Sequence, residues 1–178
     1  IMAIQKEKNP DLGYATDFLS VIETLISYWK KGSTVKIISN AGGLNPLACA
    51  QACLKICKHA NLHQIKVALV YGDDVLLYLK KNINSKFYNN LDDDTPLKQV
   101  KESIVSANAY FGAEGITKAL TEGADIVVTG RVADPSMVVG ACMYSFQWSS
   151  LDFDAIAGAT VAGHLIECGS QVVGGIAT

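Results

Sequence analysis

No stretch of this sequence reaches the ~18–20 consecutive apolar residues that a membrane-spanning helix requires, so no membrane partner is expected. Charge of either sign is scarce. Only 18% of the 178 residues are charged and the formal net charge is −2, which gives a polyanion nothing to hold and argues against nucleic acid. Paired cysteines are also lacking. Cys49, Cys53, Cys57, Cys142 and Cys168 make an odd count of five in apolar helical stretches, the usage of a reducing compartment. A cytoplasmic location is expected, with the mitochondrial matrix as the alternative for a eukaryotic source. Cys49, Cys53 and Cys57 lie four apart on one helix face, but no His/Cys cluster with zinc spacing accompanies them. They read as small buried hydrophobes. Internal repeats and linkers are absent, which predicts one domain over residues 1–178. The sequence opens with Ile1-Met2-Ala3-Ile4 and closes on Gly174-Gly175-Ile176-Ala177-Thr178, in what reads as a strand or turn. The expectation is a segment of a longer protein, truncated at both ends.

What is abundant is apolar surface, at 49% of residues. Chains with helices on both faces of a parallel sheet look like this, because their central strands are buried on both sides. The patterning agrees. Residues 1–8 read as the tail of a helix, broken by Asn9-Pro10-Asp11-Leu12-Gly13. Residues 17–29 are helical, with Phe18, Val21, Ile22, Leu25 and Trp29 on one face. A strand over 35–39 leads to Asn40 and then a helix, with Asn45 as N-cap, Pro46 at the first position and a buried stripe of Leu47, Ala50, Leu54 and Cys57. A second strand covers 66–71. Residues 80–94 form a polar, lid-like insertion. Residues 104–110 suggest a further strand, 113–122 a helix closed by Gly123, and 124–129 the clearest strand of all. A helix to about Phe146 follows, and the last segment, 153–173, reads as helical around 159–168. Strand, helix, strand implies parallel crossovers, so the predicted class is α/β: a mostly parallel sheet flanked by helices on both faces, a Rossmann-like three-layer fold.

Three strands therefore end in polar, Gly-containing loops at 40–45, 72–74 and 129–134. In a parallel sheet all three emerge at the carboxyl edge, where ligands bind, although each loop alone is ordinary turn chemistry. Asn40, Gly42, Gly43 and Asn45 suggest an anion cradle beneath a helix N-terminus. The loop is neither a Walker A motif nor a GxGxxG fingerprint, so nucleoside triphosphates and dinucleotides are disfavoured. Asp73 and Asp74 are adjacent and point differently: one can cap a helix while the other faces the site. Thr129 closes its strand. Arg131, just past a buried strand, needs a partner; Asp134 would serve, as would a ligand carboxylate or phosphate. His164 lies over Glu167 and Cys168 on one helical turn, which reads either as a general acid/base pair beside a thiol or as a structural pair.

The motifs GYATDF (13–18), SNAGGLNPLACA (39–50), GDD (72–74), ANAYFGAEGI (107–116), GADIVVTGRVADPS (123–136) and AGATVAGHLIECG (157–169) occur in order across nearly the whole chain. Together they resemble the N-terminal domain of the acyclic terpene utilisation family, the AtuA-type proteins. That resemblance implies catabolism of acyclic terpenes such as citronellol and geraniol, alongside acyl-CoA carboxylases and enoyl-CoA hydratases. It also implies further residues on both sides of this segment. The first expectation is a catabolic enzyme, a lyase or hydrolase, acting on an acyl-CoA or branched carboxylic acid. Asn40, Gly42, Gly43, Asn45, Asp73, Thr129 and Arg131 are its candidate binding residues, and Asp74, Asp134, His164 and Glu167 its candidate acids and bases. The expected partner is a small-molecule carboxylate or CoA thioester, and a homo-oligomer is compatible with the sequence. No cofactor is expected, although Asp73, Asp74 and Asp134 could hold a divalent metal in a hydrolase or lyase of a third kind. The alternative to an enzyme is a ligand-binding subunit that partners a carboxylase or hydratase.

Overall fold

The computed structural model describes residues 1–174; the expected turn or strand at 174–178 lies almost wholly outside them. The β-branched run Ile126–Thr129 forms β3, and all four of its residues are buried. Such side chains fit a pleated surface covered on both faces. β3 lies between β1 (Ile37–Ser39) and β2 (Val67–Val70) in the order β1-β3-β2. Both pairings are parallel, with Ile126 opposite Ile37 and Val67, and Thr129 opposite Val70. The fold is the expected α/β class.

Alternation along β3 divides the core. Ile126 and Val128 face α2 (Phe18–Lys30) and α3 (Pro46–His59), packing with Ile22, Trp29, Cys49, Cys53 and Cys57. Val127 faces the opposite way, onto Ile116 and Leu120 of α5 (Glu114–Thr121). Helix α6 (Ser136–Phe146) adds Met137 and Tyr144 on that side. Beyond it, α7 (Phe153–Cys168) packs Ala159 against Val139 and Met143. Two shorter helices, α1 (Met2–Lys8) and α4 (Leu76–Lys81), bury no residue fully. None of these helices is long and apolar enough to cross a membrane.

The thiols of α3 behave as the small hydrophobes their spacing suggests: Cys49, Cys53 and Cys57 are free and fully buried. The rest of the α3 stripe differs from expectation. Cys49 and Cys53 occupy it in place of Leu47 and Leu54. Leu47, in the first turn, is exposed at the carboxyl edge. On α2, Val21 likewise turns outward while Phe18, Ile22 and Trp29 are buried. Helix α7 starts where the expected last segment at 153–173 does and covers its helical part at 159–168.

The strand expected over 104–110 does not form. That segment makes only isolated bridges, Asp74 to Asn108 and Phe111 to Val132. Its backbone crosses the strand ends rather than lying alongside a strand. Ala109 N–H donates to the Asp73 carbonyl at 2.7 Å and Val75 N–H to the Ala107 carbonyl at 2.9 Å. Two residues on, Ala133 N–H donates to the Phe111 carbonyl at 2.9 Å. The segment thus stitches the loop after β2 to the loop after β3.

The close fit at the edge is testable at Gly42. A Cβ there would fall on the Thr129 carbonyl oxygen and on Pro46. Overpacking of this kind costs about 1–3 kcal/mol, and each kcal/mol lowers Tm by roughly 2–4 °C at this chain length. Gly42→Ala should therefore melt several degrees below wild type. Gly158→Ala, on α7 with open space around it, should melt at or above wild type in the same calorimetric scan.

Candidate functional site

The carboxyl edge is organised by one side chain. Asp73 follows β2 and is 3% exposed. Its Oδ2 accepts the Arg131 backbone N–H at 2.8 Å and Asn108 Nδ2 at 2.8 Å. Gly130 packs directly on this carboxylate, and a Cβ would collide with it. Three chain segments that are distant in sequence are thereby fixed around a single charge, which two N–H donors hold in place.

Two adjoining cavities open here. The larger, about 600 Å³, is lined by Lys6, residues 43–47, Leu69, residues 71–74 and Asn108. The smaller, about 310 Å³, is lined by Met2, Ala15, Asn40, Ala41, Gly43, Leu44, Asn108, Gly130 and Arg131. Gly43, Leu44 and Asn108 form walls of both. Volumes of ~300–1,000 Å³ with mainly apolar walls and a few convergent polar groups are usual for small-molecule sites.

The structure brings most of the expected binding residues to these cavities. Gly43, Asn45, Asp73 and Asp74 line the larger one, and Asn40, Gly43 and Arg131 the smaller one. Thr129 lines neither: it is fully buried and its hydroxyl donates to the Gly130 carbonyl at 2.9 Å. Gly42 is buried beneath the loop, against Thr129 and Pro46. Most of the cradle's backbone donors are engaged within the fold. Gly43 N–H donates to Asn40, Leu44 N–H to Gly13 and Asn45 N–H to Gly42, each to a backbone carbonyl, and Ala41 N–H to the Ser39 hydroxyl. Asn45 caps α3 through Ala48 N–H and ties down the Pro10 and Leu12 carbonyls at 2.7 and 2.8 Å. What remains for an anion is the positive pole of α3 and, beside it, Lys6.

Of the candidate acids and bases, Asp74 alone lines the larger cavity. Its Oδ1 accepts Leu76 N–H at 3.0 Å, shaping the start of α4. Asp134 is paired with Arg131 at 3.5 Å. Arg131, the chain's single arginine, also lies over the Tyr110 ring at 4.6 Å. Its pKa is raised, first by a hydrogen bond with Tyr110, against the cost of desolvation, and further by the charges of Tyr110, Asp134 and Glu167. His164 and Glu167 are exposed on α7 and line neither cavity. His164 Nδ1 lies 3.6 Å from Cys168 Sγ, and the Cys168 thiol donates to Glu167 at 2.8 Å. That hydrogen bond, then slight burial, then the charges of Glu167 and Asp134 raise the thiol pKa. Among the described residues, no group of three or more His, Cys, Asp or Glu side chains is placed to hold a metal ion.

Sequence reasoning missed Lys6, Tyr71, Asn108 and Tyr110. Asn108 and Tyr110 sit inside ANAYFGAEGI, but reading that stretch as a strand hid their position across the strand ends. Lys6 reaches the site only because α1 lies on the glycine loop, where its ammonium donates to the Leu44 carbonyl at 2.6 Å. No local pattern signals that contact. In comparisons with known proteins, a family model described as "Acyclic terpene utilisation family protein AtuA" matches residues 1–178. No curated protein and no solved structure matches.

Two outcomes follow from these contacts. The Arg131–Asp134 pair is about 40% exposed on both sides, and exposed pairs contribute ~0–1 kcal/mol. Arg131→Lys, which keeps the charge and loses the planar face on Tyr110, should shift Tm by only a few degrees in a thermal melt. A much larger fall would make Arg131 a structural residue. At Cys168, removing the carboxylate lowers the thiol pKa, so more thiolate is present at pH 8. Glu167→Gln should therefore speed iodoacetamide alkylation of Cys168, followed by peptide mass mapping.

Proposed function

The chain belongs to the acyclic terpene utilisation family, AtuA, and on that basis we propose that its larger cavity takes a branched carboxylic acid or the corresponding acyl-CoA thioester during terpene breakdown. One observation carries this reading: a single cavity of about 600 Å³ combines hydrocarbon walls with one cation, Lys6, and the carboxylates of Asp73 and Asp74. Leu44, Leu47 and Leu69 suit a branched chain. Lys6 and the N-terminus of α3 suit a carboxylate or thioester oxygen. Asp74 stands on the same wall and is the group best placed to move a proton. In the adjoining cavity, Arg131 offers a second anion contact, fitting the carboxylate or phosphate of a longer ligand.

A second reading is favoured by the placement of the titratable groups. Asp134 is committed to Arg131, while His164 and Glu167 line neither cavity. With Asp74 as the only candidate base on the wall, the domain would serve as a ligand-binding subunit that presents its acid to an acyl-CoA carboxylase or hydratase.

Calorimetric titration with citronellic acid, an acyclic terpene acid, and with citronellyl-CoA tests the common part of both readings. At least one should bind, and Lys6→Met should weaken that binding by about tenfold to a hundredfold, the cost of one charge-assisted contact. If neither ligand binds the wild-type chain, the assignment of this cavity fails. If Asp74→Asn binds as tightly as wild type and any turnover detected persists, the second reading is preferred.

A further inference from the structure

Asp73 uses its two oxygens unequally. Oδ2 accepts both Asn108 Nδ2 and the Arg131 N–H. Oδ1 accepts no hydrogen bond from any described residue; it lies against Gly130. Yet no described side-chain nitrogen or oxygen that is sealed from solvent lacks a partner. Oδ1 is therefore not sealed, although the residue as a whole is 3% exposed. Asp73 forms part of the wall of the larger cavity.

An ionised carboxylate oxygen only accepts hydrogen bonds. Its complement on a ligand is a donor, and on an acyl chain the donor is a hydroxyl. The surroundings hold this oxygen still. Its partner Oδ2 is fixed by two donors, and the absence of a side chain at Gly130 makes room for the carboxylate. Lys6 lines the same cavity, as do Leu44, Leu47 and Leu69. We infer that the preferred ligand is a hydroxylated branched carboxylic acid whose O–H donates to Asp73 Oδ1 while its carboxylate faces Lys6. This rests on the ligand class proposed above and adds the hydroxyl to it. A buried site built around a hydrogen bond discriminates strongly against an analogue that lacks the partner group, because the protein atom is then left unpaired.

The test compares citronellic acid with its 3-hydroxy and 7-hydroxy derivatives by calorimetry, on the wild-type chain and on Asp73→Asn. The asparagine amide oxygen can still accept from Arg131 and Asn108, but its NH₂ replaces the free acceptor. One hydroxylated acid should bind wild type about tenfold to a hundredfold more tightly than citronellic acid. In Asp73→Asn the ratio of the two affinities should collapse to about one. If that variant does not fold, the three acids on wild type decide the matter alone. Equal binding of all three would make Oδ1 a hydration position, overturning the inference while the proposed ligand class stands. A preference that survives in Asp73→Asn places the hydroxyl elsewhere and also overturns it. If none of the acids binds, the ligand class and the hydroxyl fall together.

Discussion

A strand buried on both faces and paired along both edges leaves its residues nowhere to go but inward. In this molecule that condition falls on Ile126–Thr129, which is hydrogen-bonded to β1 and β2 and covered by helices on each side. Full burial of a side chain such as Val or Ile is worth about 1.5–3 kcal/mol, so each position of β3 is held firmly to its place. The helices must pack on the faces β3 offers, and the neighbouring strands must match its register. The chain must then leave β3 at Gly130, at the carboxyl edge, under whatever constraints that edge imposes.

Those constraints turn a set of strand ends into a site. A buried carboxylate is tolerated only with partners. Asp73 obtains them from the loop after β3 and from the segment that crosses the strand ends. The same bonds that neutralise the cost of burying Asp73 fix the relative positions of Arg131, Asn108 and Gly130. Stability and cavity shape share these contacts.

The parts of this arrangement legible in sequence were those written in periodicity and turn chemistry. β3 announced itself as ADIVVT, the helix after Asn45 by its cap and Pro46, and the three edge loops by their Gly, Asn and Asp content. The thiols of α3 were readable as core because they recur every four residues. The segment at 104–110 forms no strand, and local sequence does not say whether a partner strand lies alongside. Its backbone instead pairs with loops, which have no period to detect. Lys6 was invisible for a related reason: a lysine on a short helix looks like a solvated charge until tertiary packing lays that helix on the glycine loop. Thr129 is the opposite case. A strand's last residue appears poised for a ligand, yet its hydroxyl bonds to the adjacent Gly130 carbonyl and stays inside.

Helix α1 contributes Lys6 to one cavity and Met2 to the other, yet no residue of it is fully buried. It is held to the loop by the ammonium of Lys6 and to the rest of the chain through the bonds from Asn45 to the segment that follows it. Part of each cavity wall is therefore built from an element that carries little of the folding free energy. Substitutions along α1 can change what the cavities admit at small cost to the core. Selection could retune ligand preference through this one short helix while the sheet, the thiol-lined face and the Asp73 tie stay as they are.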